Sequence, residues 1–381
     1  ALKAFKKKID TKIKNKVLNQ YANSIKKNKY KIINQNNRDI KLAKKKGITE
    51  NLLQRLSLNS KKIDQIIKSI KIISKLKDPT NVIMADWFRP NGLRIKRVSI
   101  PMGIIGVIYE SRPNVTSDVS SLCFKSGNCV ILKGGSESYY SNKILANLFR
   151  QVLKNNKIDQ NYVQFIESKN RKLVDLLLSK MENYIDLIIP RGGKNLVKKV
   201  KELSSIPTIG HLEGICHTYV DKDADLNLAV KVINNAKLRN TSICGATETI
   251  LFHEKKLKKY LNPILKKLIE NGCTIYADKK IKKNFNGKSL IAKEKNWSTE
   301  YLSPKVSVKS VKNHIDAINH INKYGTMHTD AILTKNKKTA QYFLKNVKSS
   351  IAMQNTSTQF ADGGEFGFGG EVGISTNKLP P

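Results

Sequence analysis

One cysteine stands where a nucleophile would. Cys244 lies in the stretch Asn240-Thr-Ser-Ile-Cys-Gly-Ala-Thr-Glu248, among small and hydroxyl side chains. A thiolate there could attack an electrophilic carbon, given backbone N–H groups or a nearby cation to favour the charged form. The alternative is a buried cysteine acting only as a small hydrophobe. The nearest other cysteines, Cys216 and Cys273, are far along the chain, so the spacing predicts no metal at Cys244.

Two glycine pairs have the spacing of phosphate cradles. Lys133-Gly-Gly-Ser136 follows an apolar run, so its glycines would admit backbone N–H groups close to an anion while Lys133 and Ser136 add charge and a donor. Pro190-Arg191-Gly192-Gly193 also sits between a strand pattern and a helix pattern, where a helix N-terminus could face a pyrophosphate. Either pair could equally be a simple turn. Neither matches Gly-x-Gly-x-x-Gly, so the usual dinucleotide fingerprint is absent.

The elements that must position these residues alternate. Gly103–Tyr109 is an unbroken apolar run of strand length, as in a parallel strand buried on both faces. A polar turn through Arg112–Asn114 and a short helix from Ser117 to Lys125 follow, then a strand Cys129–Lys133. The pattern continues with helix 141–154, strand 162–166, helix 171–180, strand 185–190 and helix 194–203. A long amphipathic segment, Asp225–Arg239, leads into Cys244. Beyond it come strand 249–253, helix 255–271, strand 273–277, helix 312–323, strand 330–334 and helix 337–346. Strands alternating with helices predict an α/β fold with doubly wound parallel sheets. Residues 1–78 read as helices: Ser60 could cap a segment whose Ile63, Ile66, Ile67, Ile70 and Ile73 share one face. Around Asn91-Gly92 a turn precedes an exposed strand from Arg94.

At 381 residues and 43.0 kDa the chain can bury two cores. No apolar run is long enough to span a bilayer. The basic start lacks an apolar stretch after it, so no signal peptide is expected, and the scattered odd-numbered cysteines point to a reducing compartment and a cytoplasmic location. Lys and Arg exceed Asp and Glu by 70 − 30 = 40, of which residues 1–100 hold 27 basic against 6 acidic. Such a surface could hold nucleic acid electrostatically, yet no recognition helix, zinc-finger spacing or aromatic interleaving accompanies it. Asn and Ile are also abundant, and both share A/T-rich codons with Lys, so codon bias explains all three excesses together. A non-catalytic nucleic-acid binder is kept as the rival of another class.

Longer motifs carry a resemblance. Pro101-Met-Gly-Ile-Ile-Gly-Val-Ile-Tyr-Glu-Ser-Arg-Pro-Asn-Val-Thr116, Leu187-Ile-Ile-Pro-Arg-Gly-Gly193, Glu213-Gly-Ile-Cys-His217, Asp221-Lys-Asp-Ala-Asp225, His328-Thr-Asp-Ala331, Gly363-Gly-Glu-Phe-Gly-Phe-Gly369 and Glu371-Val-Gly-Ile-Ser-Thr376 are similar to the signatures of the γ-glutamyl phosphate reductase family, within the aldehyde dehydrogenase superfamily. The resemblance implies an aldehyde-dehydrogenase-like fold of two lobes and a small β oligomerisation flap. It divides the chain into a dinucleotide-binding lobe 1–240 with the flap strand at 92–102, a catalytic lobe 241–360, and a tail 361–381 returning toward the first lobe and flap. A further strand beyond Pro381, pairing across a subunit interface, belongs to the same expectation.

The implied reaction, in proline biosynthesis, is reduction of L-glutamyl 5-phosphate by NADPH, releasing phosphate and L-glutamate 5-semialdehyde through a Cys244 thioester. Asn114 resembles the superfamily's oxyanion asparagine, with the Cys244 N–H as the second donor, and Glu213 resembles its general-base glutamate. Glu300 is similar to the residue that holds the nicotinamide ribose. For the cofactor the resemblance points also to Lys133, Gly135, Ser136, Arg191, Gly192 and Gly193. Ser136 stands where NAD-preferring relatives tend to carry a carboxylate, although Glu137 is adjacent. Arg112, Asn355 and Thr358 are the expected substrate contacts, with His328 behind them. Expected partners are the small-molecule substrate, glutamate 5-kinase and further copies in a dimer or tetramer, with no membrane. The alternative within enzymes is a dehydrogenase that hydrolyses its thioester with Glu213 as base. Two departures stand out: Gly245 where the family usually has Asn, and Gln359 where it usually has Arg.

Overall fold

The computed structural model describes residues 1–376; the end of the expected tail, residues 377–381, lies outside the described residues. By internal contacts the described chain divides into two units, residues 1–210 with 369–373, and residues 211–368 with 374–376. The boundary therefore falls at Gly210/His211 and not at 240/241. Residues 211–240 supply a strand and a helix to the second unit's sheet, so they pack there. Of the expected tail, only Gly369–Gly373 groups with the first unit among the described residues.

The first unit opens with helices Thr11–Lys27, Lys29–Lys45 and Ser60–Lys75. Ile63, Ile66, Ile67, Ile70 and Ile73 are buried along the last of these, each contributing about 1.5–3 kcal/mol of transfer free energy. Its N-cap is Asn59, whose Oδ1 accepts from the Lys62 N–H at 2.9 Å. Ser60 is already inside the helix. Strand β1 (Ile83–Phe88) pairs antiparallel with β2 (Arg94–Val98) as a hairpin. Only β2 is visible in the sequence pattern. Trp87, Phe88, Ile100 and Met102 are exposed on and beside the hairpin.

Four parallel strands follow: β3 (Ile104–Tyr109), β4 (Cys129–Gly134), β5 (Val163–Phe165) and β6 (Leu187–Arg191). They lie in the order β5-β4-β3-β6, so the chain winds outward on one side of β3 and returns on the other. Every residue of β3 and β4 is buried, as their unbroken apolar runs require. The helix after β3 starts at Pro113, not Ser117. Proline suits the first helical position because its missing N–H would have no helical partner there. Asn114 thus sits in a helical first turn.

The second unit carries β7 (Cys216–Val220), β8 (Thr247–His253), β9 (Thr274–Ala277), β10 (Leu290–Ile291), β11 (Lys305–Val311), β12 (Thr329–Leu333) and β13 (Ile351–Gln354). All pair in parallel, in the order β10-β9-β11-β8-β7-β12-β13. The expected α/β class with two parallel, doubly wound sheets is what the chain forms.

Carboxylates are scarce in this chain, and many are committed to backbone amides. Asp186 accepts from the Ile104 N–H at 2.7 Å, and Asp39 from Tyr140 and Ser141 at 3.1 and 2.8 Å. Asp278 takes Ile281 and Ser310 at 2.6 and 2.7 Å. Gly103 lets Asp186 in: its φ is +121°, and a Cβ there would lie 2.1 Å from the carboxylate oxygen. Among the described residues no helix is long and apolar enough to cross a membrane.

Candidate active site

At the carboxyl ends of β3 and β4 the first unit has a cavity of about 250 Å³. It lies where the winding of the sheet reverses, which is where open α/β sheets take their ligands. Lys133, Gly135 and Ser136 line it, as do Lys169, Arg171 and Lys199. Lys133 is buried, and its Nζ donates to the carbonyls of Gly134 and Ser168 at 3.2 Å each. Burial holds its ammonium below the usual lysine range, with Glu137 opposing and Arg171 reinforcing. Glu137 does not face the cavity freely, because its Oε1 accepts from both N–H and Oγ of Ser111 at 2.8 and 2.9 Å. Ser136 is left as the hydroxyl beside Lys133.

The second glycine pair behaves differently from the expectation. Gly193 is the N-cap of helix Lys194–Leu203, but its N–H donates to Glu110 Oε2 at 2.8 Å. A Cβ on Gly192 would lie 2.5 Å from the same oxygen. A carboxylate therefore occupies the anion position offered by this helix start, and Arg191, Gly192 and Gly193 do not present an open phosphate cradle. Asn114, in the same unit, donates its Nδ2 to Asp118 Oδ2 at 3.0 Å. Arg112 is the N-cap of that helix.

In the second unit Cys244 is the one partly exposed thiol among the described residues; the other four cysteines are buried. Burial pushes Cys123, Cys129 and Cys273 up to about 12 and Cys216 well above its ordinary value, so none of these is a ready thiolate at neutral pH. Helix Leu226–Leu238, capped by Asp225, precedes Cys244, and β8 follows it. Its main chain is clamped. The Cys216 thiol donates to the Cys244 carbonyl at 3.1 Å. A Cβ on Gly214 would lie 2.0 Å from that same oxygen, so only glycine lets the β7 approach pass so close.

Glu300 Oε1 accepts from the Gly214 N–H at 2.8 Å, which ties it to the half-buried Glu213 through the backbone. His328, fully buried, has Nδ1 3.0 Å from Thr329 Oγ1. Burial and then His211 push its ring down to about 3, so it is neutral at physiological pH. Sequence reasoning missed His211, whose Nδ1 lies 2.8 Å from the Ile374 carbonyl. It belongs to no quoted motif, and the scarcity of histidine, 6 in the chain, was the available signal.

Two expected substrate contacts have structural duties instead. Asn355, at φ +56°, spends both ends of its amide on Thr334, accepting from its N–H at 2.9 Å and donating to its carbonyl at 3.0 Å. Thr358 is fully buried and bonded to Thr247 Oγ1 at 3.0 Å. The two departures are also accounted for. A Cβ at Gly245 would sit 3.2 Å from the Thr358 carbonyl, a tight fit. Gln359 is buried and donates to the Ala236 carbonyl at 2.9 Å, in the last turn of the helix before Cys244. Next to that carbonyl, Lys237 reaches Glu248 at 2.5 Å with both side chains wholly buried.

The model of the aldehyde dehydrogenase family matches residues 1–285. The chain is 45% identical over 336 residues to the γ-glutamyl phosphate reductase of Parvibaculum lavamentivorans, covering 88% of this chain and 79% of that one. The chain belongs to this family. With the γ-glutamyl phosphate reductase of Thermodesulfovibrio yellowstonii it shares 44% identity over 372 residues, 98% of this chain and 88% of the relative. The crystal structure of γ-glutamyl phosphate reductase from Thermotoga maritima superposes with a TM-score of 0.95 at 39% identity, covering 99% of this chain and 91% of that one. Membership in this branch of the aldehyde dehydrogenases makes the chain an oxidoreductase, and the lysine excess decorates an enzyme.

Proposed function

We propose that the chain reduces L-glutamyl 5-phosphate to L-glutamate 5-semialdehyde with release of phosphate, using NADPH, as a step of proline biosynthesis. The observation that carries the reading is Cys244: a partly exposed thiol on a clamped main chain, in a protein whose other thiols are buried. Family membership supplies the substrate class. The Cys244 thiolate attacks the acyl carbon, phosphate leaves, and a thioester remains on the enzyme. When bound, NADPH would supply the hydride that reduces this thioester. Collapse of the resulting thiohemiacetal returns the thiolate and releases the aldehyde. Each tetrahedral oxyanion needs preorganised donors, for which the Cys244 N–H and the Asn114 amide are assigned. Glu213 carries the thiol proton, and Arg112 meets the anionic substrate. Both assignments rest on the resemblance.

For the cofactor the residues present are suitable. The cationic cavity at the sheet's switch point suits the phosphate-bearing adenosine half. Lys133 and Ser136 would hold the 2′-phosphate, with Gly135 letting the backbone pass, and Glu300 would hold the nicotinamide ribose. Ser136→Glu places a carboxylate beside that phosphate. It is expected to lower the NADPH-over-NADH ratio of kcat/KM by on the order of 100-fold, since like-charge juxtaposition costs several kcal/mol. An unchanged ratio would remove Ser136 from the cofactor site. A cytoplasmic homo-oligomer, with the apolar hairpin at its interface, completes the proposal.

The deciding experiment is the reverse reaction, following NADPH formation from glutamate 5-semialdehyde and NADP⁺ with and without inorganic phosphate. Product formed only with phosphate is expected. Turnover without phosphate would mean that water accepts the acyl group, in favour of a hydrolytic dehydrogenase with Glu213 as base.

A further inference from the structure

Three residues distant in sequence meet in the second unit. His211, Cys244 and His328 each offer one ligand atom, and these atoms all lie within 4.8 Å of one another. His211 and Cys244 stand a few residues before β7 and β8, and His328 immediately before β12. Since β8, β7 and β12 are neighbours in the sheet, parallel pairing brings the three to the same amino-terminal edge. Cysteine spacing alone gave no ligand set because the neighbours of the thiol are histidines on segments that lead into different strands.

One imidazole is set as a lone-pair donor, and the other keeps a buried nitrogen without a hydrogen-bond partner. His211 Nδ1 lies 2.8 Å from the Ile374 carbonyl, which can only accept, so Nδ1 carries the hydrogen and Nε2 the lone pair. A carbonyl that orients a histidine in this way is the usual outer support of a metal ligand. His328 is fully buried; its Nδ1 lies 3.0 Å from Thr329 Oγ1 and 3.6 Å from Cys216 Sγ, whereas its Nε2 has no hydrogen-bond partner among the described residues. A buried nitrogen without a hydrogen-bond partner beside a thiol is a group that a bound ion or an ordered water would satisfy.

We propose that His211, His328 and Cys244 form a binding site for a thiophilic divalent cation of the zinc class, and that occupancy masks the Cys244 nucleophile. Two nitrogens and a thiolate match zinc's preference, leaving a fourth tetrahedral position for water. With zinc bonds of about 2.0–2.3 Å, tetrahedral ligands lie about 3.4–3.6 Å apart. His211 and Cys244, both half-buried, would shift to close the remaining distance on binding. Binding forms a metal–sulfur bond and releases the thiol proton to solvent, with no change of oxidation state. The masking rests on Cys244 being the nucleophile of the proposed reaction; the binding itself does not.

The test uses the full chain stripped with a chelator and titrated with Zn²⁺ or Co²⁺ alone. One equivalent is expected to bind, with a thiolate-to-cobalt charge-transfer band that is absent in Cys244→Ser. His211→Asn, a change at a half-buried position, is expected to weaken binding at least tenfold. His328→Asn alters a buried site, so it counts only if its thermal unfolding matches the parent. Zn²⁺ is further expected to slow alkylation of Cys244 by iodoacetamide at least tenfold, read by peptide mass spectrometry and reversed by chelator. Zinc binding unchanged in Cys244→Ser and His211→Asn would overturn the site, as would alkylation of Cys244 unaffected by zinc. Alkylation needs no turnover, so an enzyme failing the phosphate test would still report on the metal.

Discussion

Cys244→Ala is expected to cut turnover by on the order of 10⁴-fold or more, the scale seen when a covalent nucleophile is removed from an otherwise intact site. The fold should survive. Its main chain is held by the Cys216 thiol and by the close pass of Gly214, and alanine keeps both. NADPH affinity should also survive, because Lys133 and its cavity belong to the other unit. The check is steady-state kinetics beside equilibrium cofactor binding on the same preparation. Cys244→Ser should also be nearly inactive, since an alcohol is a far weaker acid than a thiol and stays un-ionised where the thiol gives a nucleophilic thiolate. An alanine variant retaining more than a tenth of the activity would end the thioester mechanism and with it the masking role of the proposed metal.

Lys237→Met is expected to be the most destabilising single change near the site. Lys237 and Glu248 are both wholly buried, so methionine leaves a carboxylate without its cation in a dry interior. Breaking such a pair from one side costs about 3–5 kcal/mol, whereas replacing both partners by apolar groups is often neutral. The double variant Lys237→Met/Glu248→Met should therefore recover most of the loss.

The loss should depend on pH, and its sign can be worked out. Burial already raises the Glu248 carboxyl from 4.5 to about 7, although Lys237 pulls the other way. Without Lys237 the folded-state pKa rises further above the unfolded value. A carboxyl raised in the folded state is best tolerated when protonated, so the variant loses stability steadily as pH climbs from about 4.5 through 7 and beyond. Urea unfolding at pH 6 and pH 8 measures this. Equal losses at the two pH values, or a double variant no better than the single, would show that the pair is not what holds this helix and strand together.

What could be read in advance follows from where side chains find their partners. β3 and β4 were legible because their buried positions are apolar apart from Lys133 near the end of β4. β7 was not, although it is just as buried, because it reads Cys-His-Thr-Tyr-Val. Its His217 N–H and ring meet Asp330, at 2.6 and 3.0 Å, and Thr218 meets Thr247 at 2.7 Å. Polar residues satisfied across strands erase the hydrophobic signal on which strand recognition depends. The same blindness moved the domain boundary, since without β7 residues 211–240 had no sheet to join. At the site, the thiol and the Lys133 turn were legible as local patterns. Glu110 on the Gly193 amide, Lys237 with Glu248, and the two histidines beside Cys244 are meetings between distant segments, and no local spacing encodes them.

The committed carboxylates also bear on how this composition can drift. A lysine gained on a solvent face changes stability little, so a mutational bias can load the exterior with them almost neutrally. Losing Asp39, Asp186 or Asp278 strands one or two amides that each of them holds, at about 1–3 kcal/mol for a buried donor. The positive excess is thus a one-sided accumulation. Codons are free to add cations outside, while the acids that remain are pinned by the main chain they bind, and the fold sets the floor below which their number cannot fall.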